Sequence, residues 1–226
     1  METALSIVIG GLITILTAIL VEYLRLPKLH LTIEYPPCDV AYPDGERPAK
    51  NAKYLRLKLR NQALPSIFRW MQRATALQCR GEISFHHLDA QDVFGRAMTV
   101  RWSNSPQPIA NQVMDLEGNI RFYIIDFARA AAESRVDVYP GEEQILDVVA
   151  RFDEELECYG WNNEAYLYSW RNPSWKLQQG RYLAKAVVTS SGQTCVGVVR
   201  IVNDVTDRKD FRLVEATARD RAALHV

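Results

Sequence analysis

Tyr54-Leu55-Arg56-Leu57-Lys58-Leu59-Arg60-Asn61 alternates apolar and polar side chains without a break. Successive side chains of an extended chain point to opposite faces, so a period of two marks a strand half buried in a sheet. Leu55, Leu57 and Leu59 are expected to face a core. Arg56, Lys58 and Arg60 form a basic stripe on the other face, either a solvated surface or a site for an anionic ligand or lipid.

The same period recurs on both sides. Upstream, Leu29, Leu31, Ile33 and Tyr35 alternate with His30, Thr32 and Glu34, until Pro36-Pro37 ends the run. Residues 42–53 carry Pro, Asp-Gly and several charges and read as an exposed loop. Downstream, Leu77, Cys79, Gly81, Ile83 and Phe85 share one face, and residues 98–102 make a short strand. Residues 120–127 are apolar on both faces, which predicts a central strand. The Pro140-Gly141 turn introduces residues 145–152, with Leu146, Val148, Ala150 and Phe152 inward. Residues 180–188 and 194–202, joined through Ser191-Gly192, read as a hairpin, and 210–215 as a last strand. A succession of strands punctuated by turns, with almost no helix, predicts a mainly β protein built as an antiparallel β-sandwich.

Before the first strand, residues 4–21 run without a single charge. At about 1.5 Å per residue such a helix reaches about 27 Å, the lower end of what crosses a bilayer. Tyr23 and Arg25 follow where aromatic and basic side chains anchor to headgroups, and Pro27 stops the helix. Met1-Glu2-Thr3 lacks a basic start and residues 20–24 lack a small-x-small site, so a retained anchor is expected rather than a cleaved signal peptide. Glu2 on one flank against Arg25 and Lys28 on the other predicts the N-terminus outside and the domain in the cytoplasm. The expected division is a transmembrane anchor at 1–28, a sandwich at 29–216 and a tail at 217–226. Gly10, Gly11, Thr14 and Ala18 recur about one turn apart, a candidate seam for self-association into a homo-oligomer.

The charges exclude more than they suggest. Lys plus Arg and Asp plus Glu number 27 each, so the net charge is zero and no nucleic-acid signature arises. Cys38, Cys79, Cys158 and Cys195 form no C-x-x-C pair, and His86 and His87 face opposite sides of a strand. No metal or cofactor is therefore expected. The acidic run Asp153, Glu154, Glu155 and Glu157 reads as a solvated loop, with a hard-cation site as the alternative. No nucleophile elbow, phosphate-binding glycine loop or H-E-x-x-H helix occurs, so catalysis is not expected.

Two segments stand out as candidate contact surfaces. Residues 159–175 hold Tyr159, Trp161, Tyr166, Tyr168, Trp170 and Trp175, aromatics that either meet a partner or fill one end of the core. Residues 66–73 combine Ile67, Phe68 and Trp70 with Arg69 and Arg73, read as a helical connection or an interfacial helix. Arg69, Arg73 and Arg80 join the basic stripe as candidates for an anionic ligand.

The Pro140-Gly141-Glu142 turn and the Gly180-Arg181-Tyr182-Leu183-Ala184 strand resemble the last strands of immunoglobulin-like sandwiches, with Tyr182 in the tyrosine-corner place. An apolar helix leading directly into such a domain also resembles, in layout, small bacterial membrane effector and sensor proteins of antiviral defence. That resemblance implies a domain that binds a protein partner or self-assembles. Two alternatives stay open: a membrane-tethered sensor of a small anionic ligand such as a nucleotide, and an extracytoplasmic structural module with disulfides.

Overall fold

The computed structural model describes residues 2–226 apart from 45–46, 69, 119, 133, 169 and 205. Side chains at 2–8, 40–50, 120, 122–123 and 130–132 lie outside that description. The chain opens with helix α1 (Glu2–Arg25) and continues through β1 (Leu29–Ile33), β2 (Cys38–Asp44), β3 (Arg47–Asn61) and β4 (Ala76–His86). The short β5 (Met98–Thr99), β6 (Ile109–Met114), β7 (Ile120–Ile125), helix α2 (Phe127–Ala132) and β8 (Arg135–Val138) follow. The second half holds β9 (Glu143–Phe152), β10 (Cys158–Gly160), β11 (Lys176–Leu177), β12 (Gly180–Ser190), β13 (Gln193–Asn203), β14 (Arg212–Glu215) and helix α3 (Ala218–Ala223).

One antiparallel sheet runs β1-β3-β9-β10-β11 with β2 beside β3, and a second runs β14-β13-β12-β4-β5 with β8 beside β4. The alternation in β3 does what its period demands: Leu55, Leu57 and Leu59 are buried and meet Ile83, Phe85, Ala184 and Ile201 of the second sheet in one core. Gly160 is required where the layers close. A Cβ there would lie 2.9 Å from Met98 Sδ and 3.1 Å from the Trp175 Cβ.

Four expectations are corrected. Among the described residues no helix is long and apolar enough to cross a membrane. In α1 the described side chains begin at Ile9 and close on Glu22 and Arg25. The single-pass anchor, with N-terminus outside and domain in the cytoplasm, is therefore withdrawn. Residues 42–44 and 47–53 are strand rather than loop: β2 and β3 pair from Cys38–Tyr54 to Asp44–Arg47, because backbone pairing tolerates charged side chains on an outer hairpin. Residues 120–127 are not central: among the described residues β7 pairs only with β6, in a two-stranded sheet.

The last correction concerns β9. Its register against β3 shifts between Leu55–Val149 and Arg56–Asp147, a β-bulge that reverses which face later residues occupy. Leu146, Val148 and Val149 belong to the inter-sheet core, whereas Ala150 and Phe152 join Ala52 and Tyr54 in a second cluster with Trp161. One strand thus serves two apolar layers.

The tail carries a capped helix. Thr217 and Asp220 form a capping box at the start of α3: the Thr217 N–H donates to Asp220 Oδ2 at 2.8 Å and the Asp220 N–H to Thr217 Oγ1 at 3.3 Å. Arg200 of β13 grips the same carboxylate, Nε and Nη2 each 2.7 Å from an oxygen. The Arg200 guanidinium holds the Asp220 carboxyl down to about 2, against 3.8 in a free chain. A depressed carboxyl stabilises the fold above the free-chain value and loses that contribution as pH falls through the folded one. Stability should therefore drop by about 2 kcal/mol between pH 4 and pH 2 from this group alone. Denaturant titrations across that range check it: Asp220→Asn should be less stable at pH 7 and should flatten this acid limb.

Candidate functional site

The base of α1 is where the structure concentrates its least ordinary chemistry. A helix end leaves backbone carbonyls without intrahelical partners. Here Arg73 supplies them: its Nη1 donates to Leu24 O and to Leu26 O, both at 3.0 Å. The positive head at a helix C-terminus also suits the macrodipole. Ala74 N–H donates to Arg25 O at 2.6 Å, and Gln62 N–H to Lys28 O at 2.9 Å. Arg73, expected to meet an anionic ligand, instead meets backbone.

Behind this clamp stands Asn61, with no exposed surface. Its Oδ1 accepts from the Lys28 N–H at 3.1 Å, and its Nδ2 donates to Ala74 O at 3.0 Å and Val138 O at 3.1 Å. Its backbone N–H donates to Glu142 O and its carbonyl accepts from Gly141 N–H. One amide therefore ties the helix exit, the 62–75 connection, β8 and the Pro140-Gly141 turn. The sequence carried a signal for it: Asn61 continues the inward series Leu55, Leu57, Leu59, so a polar side chain occupies a core-phase position.

Above the clamp α1 stands clear of the domain. Ile9, Leu12, Ile13, Ile15, Leu16, Ile19 and Leu20 are each about half exposed. Gly10, Gly11, Thr14 and Ala18 lie exposed on this rod, and a Cβ added at either glycine would meet nothing within 4 Å. The Thr14 hydroxyl turns back to donate to Gly10 O at 2.9 Å.

The aromatic segment is mostly core. Tyr159, Trp161, Tyr166, Trp170 and Trp175 are at most 7 % exposed, and only Tyr168, at 46 %, faces outward. Trp161 meets Tyr54 edge-on at 4.8 Å and stacks with Trp170 at 5.9 Å, while Tyr166 meets Trp170 at 4.5 Å. Trp170 takes φ 73°, a left-handed conformation that a bulky residue keeps only when its surroundings impose it. Arg171 lies 4.0 Å over the Phe152 ring. Burial, with Glu155 and Glu157 adding to it, pushes the Tyr159 phenol up to about 12. Tyr159, Trp161, Tyr166 and Trp170 pack on the outer face of the first sheet and Trp175 in the inter-sheet core, which leaves Tyr168 as the one of the six rings that faces outward.

The three cations of the basic stripe share two carboxylates across the strands. Arg56 Nε lies 2.6 Å from Asp147 Oδ1, Lys58 Nζ 3.0 Å from Glu143 Oε2, and Arg60 3.7 Å from the same carboxylate. Burial opposes the Arg56 charge, yet Asp147 beside it holds its pKa above the usual value. Arg80 pairs with Glu82 at 3.1 Å, and Arg69 lies outside the described residues. Three of the four acidic-run residues are paired: Asp153 with Arg208, Glu155 with Arg171, Glu157 with Lys176.

Among the described residues no group of three or more His, Cys, Asp or Glu side chains could hold a metal ion. His86 lies against Ser84 and Ala90 O, and His87 against the Tyr182 ring. All four cysteines are free thiols, Cys79 and Cys158 buried and Cys38 and Cys195 half-buried. No protein-family model, curated protein or solved structure matches the chain.

Two measurements separate these roles. Trp161→Ala should cost about 3–5 kcal/mol in chemical denaturation, and Tyr168→Ala less than about 0.5 kcal/mol. Asn61→Ala strands several buried backbone groups and should cost about 2–4 kcal/mol. Arg73→Ala should cost less overall but speed hydrogen exchange at residues 24–30 selectively.

Proposed function

We propose that this chain is a non-enzymatic assembly protein, in which the sandwich carries α1 as a fixed apolar rod through which copies of the chain associate. The observation that carries this reading is the contrast between the two ends of the helix. At its base every exposed carbonyl named above finds a donor from the domain, so its direction is set by the sheet. Along its length large aliphatic side chains stay uncovered. A continuous apolar surface of that kind marks an interaction site. Gly10, Gly11, Thr14 and Ala18 give that rod a face where a second helix can approach closely.

The competing reading, a sensor of a small anionic ligand, finds less support. Arg56, Lys58, Arg60 and Arg80 already have carboxylate partners, and a phosphate would have to displace them. The immunoglobulin-like reading draws its support from Tyr182, whose buried phenol lies by the Gln178 backbone.

The test is the mass of the full chain by analytical ultracentrifugation in a dilute non-ionic detergent. The wild type should sediment as an oligomer. Gly10→Leu combined with Gly11→Leu should weaken association by about tenfold or more, equivalent to about 1.4 kcal/mol. Beyond the helix's own backbone nothing described lies within 4 Å of either added Cβ, and an unchanged circular dichroism spectrum of the double variant assigns the loss to contact between copies. A wild type that sediments as a single chain, or a double variant with unchanged mass, would overturn the proposal.

A further inference from the structure

The second sheet is left unfinished along one edge. β13 pairs with β12 over its whole length, from Gly180–Asn203 to Ser190–Gln193. On its other side β14 pairs only with Val199–Val202. Among the described residues no strand pairs with residues 194–198 on that side, and no backbone hydrogen bond reaches them from outside the sheet. A row of backbone donors and acceptors without a ladder partner is a template for another strand.

The gap is built into the fold. β14 would have to continue past Glu215 to close it, but Ala216 is buried against Leu183, Val198 and Leu224, and Thr217 turns the chain into α3. The Arg200–Asp220 ion pair holds that turn against the outer face of β13 itself. What remains beside residues 194–198 is a groove of about 640 Å³, roofed by β1. Leu31 lies over Gly197, and the Cys195 thiol sits half-buried beside the Leu31 backbone, while Glu215 and Arg221 line the groove where β14 ends. Val196 points outward, 39 % exposed.

We infer that this groove binds an extended peptide segment of a partner protein, which adds to the β13 edge at residues 194–198 in line with β14. The backbone supplies the affinity, and the Leu31 side chain over Gly197 suits small or aliphatic side chains at the positions that face it. The inference does not depend on assembly through α1.

The probe is a fluorescein-labelled peptide, Thr-Val-Thr-Val-Thr-Val, added to the full chain. Bound peptide should slow hydrogen exchange at residues 194–198 and slow iodoacetamide modification of Cys195 by at least about threefold, with Cys38 unaffected as internal control. Val196→Lys sets a charged, flexible side chain on the edge without entering the core, and should weaken peptide binding by about tenfold while far-ultraviolet circular dichroism stays unchanged. Unchanged exchange at 194–198 with millimolar peptide would overturn the inference. So would protection confined to another strand edge, or equal binding by the Val196→Lys chain. Protection of residues 194–198 that rises with protein concentration in the absence of peptide would assign the edge to a second copy and overturn the inference.

Discussion

A single carboxamide governs how this molecule is put together. Asn61 sits at the last inward position of β3, where the leucine series would otherwise continue, and has no contact with solvent. Buried polar atoms are tolerable only when their hydrogen-bonding capacity is used. The side-chain oxygen here takes the Lys28 N–H and the two amide hydrogens go to Ala74 and Val138 carbonyls. These partners lie on three stretches that are far apart in sequence, so the geometry of one residue fixes their mutual placement. A leucine in its place would fill similar volume and leave all three backbone groups unsatisfied in a dry site, which is why a polar residue interrupts the apolar row.

Strands whose two faces differ were legible in the sequence. The alternations in β3, β12 and β13 follow from period two, and the structure places Leu55, Leu57, Leu59, Ala184 and Ile201 as that period requires. What could not be read had physical causes. Tyr159, Trp161, Tyr166 and Trp170 have the composition of a binding surface because buried aromatics with polar handles and interface aromatics obey the same chemistry. Their burial depends on Phe152 facing them, and that depends on a bulge without a sequence signature. The basic stripe was visible, but its carboxylate partners, Asp147 and Glu143, stand about 90 residues downstream and meet it only through strand pairing. β7 is apolar enough for a central position, yet among the described side chains of the β6–β7 hairpin only Ile109 and Ile125 pack against the second cluster.

The candidate surfaces divide along the same line. Clusters that looked functional by composition proved to be satisfied internally: aromatic by aromatic, arginine by carboxylate. The features left unsatisfied are of a different kind, an aliphatic rod without a covering layer and a strand edge without a neighbour. Both flank β1, which leaves the helix base after Lys28 and then roofs the groove above Gly197. Five residues therefore connect the two places where the chain presents unused bonding capacity.

The irregularity at Val148 has a consequence for how this protein can change over time. Ahead of it the odd-even phase of β9 serves the inter-sheet core, and behind it the phase is inverted to serve Trp161 and its neighbours. Loss or gain of one amino acid anywhere between Glu143 and Phe152 would put one of those two populations in the wrong compartment. The residue count of this strand is therefore locked, so length variation among descendants of this chain belongs in the outlying Asp115–Gly118 turn instead.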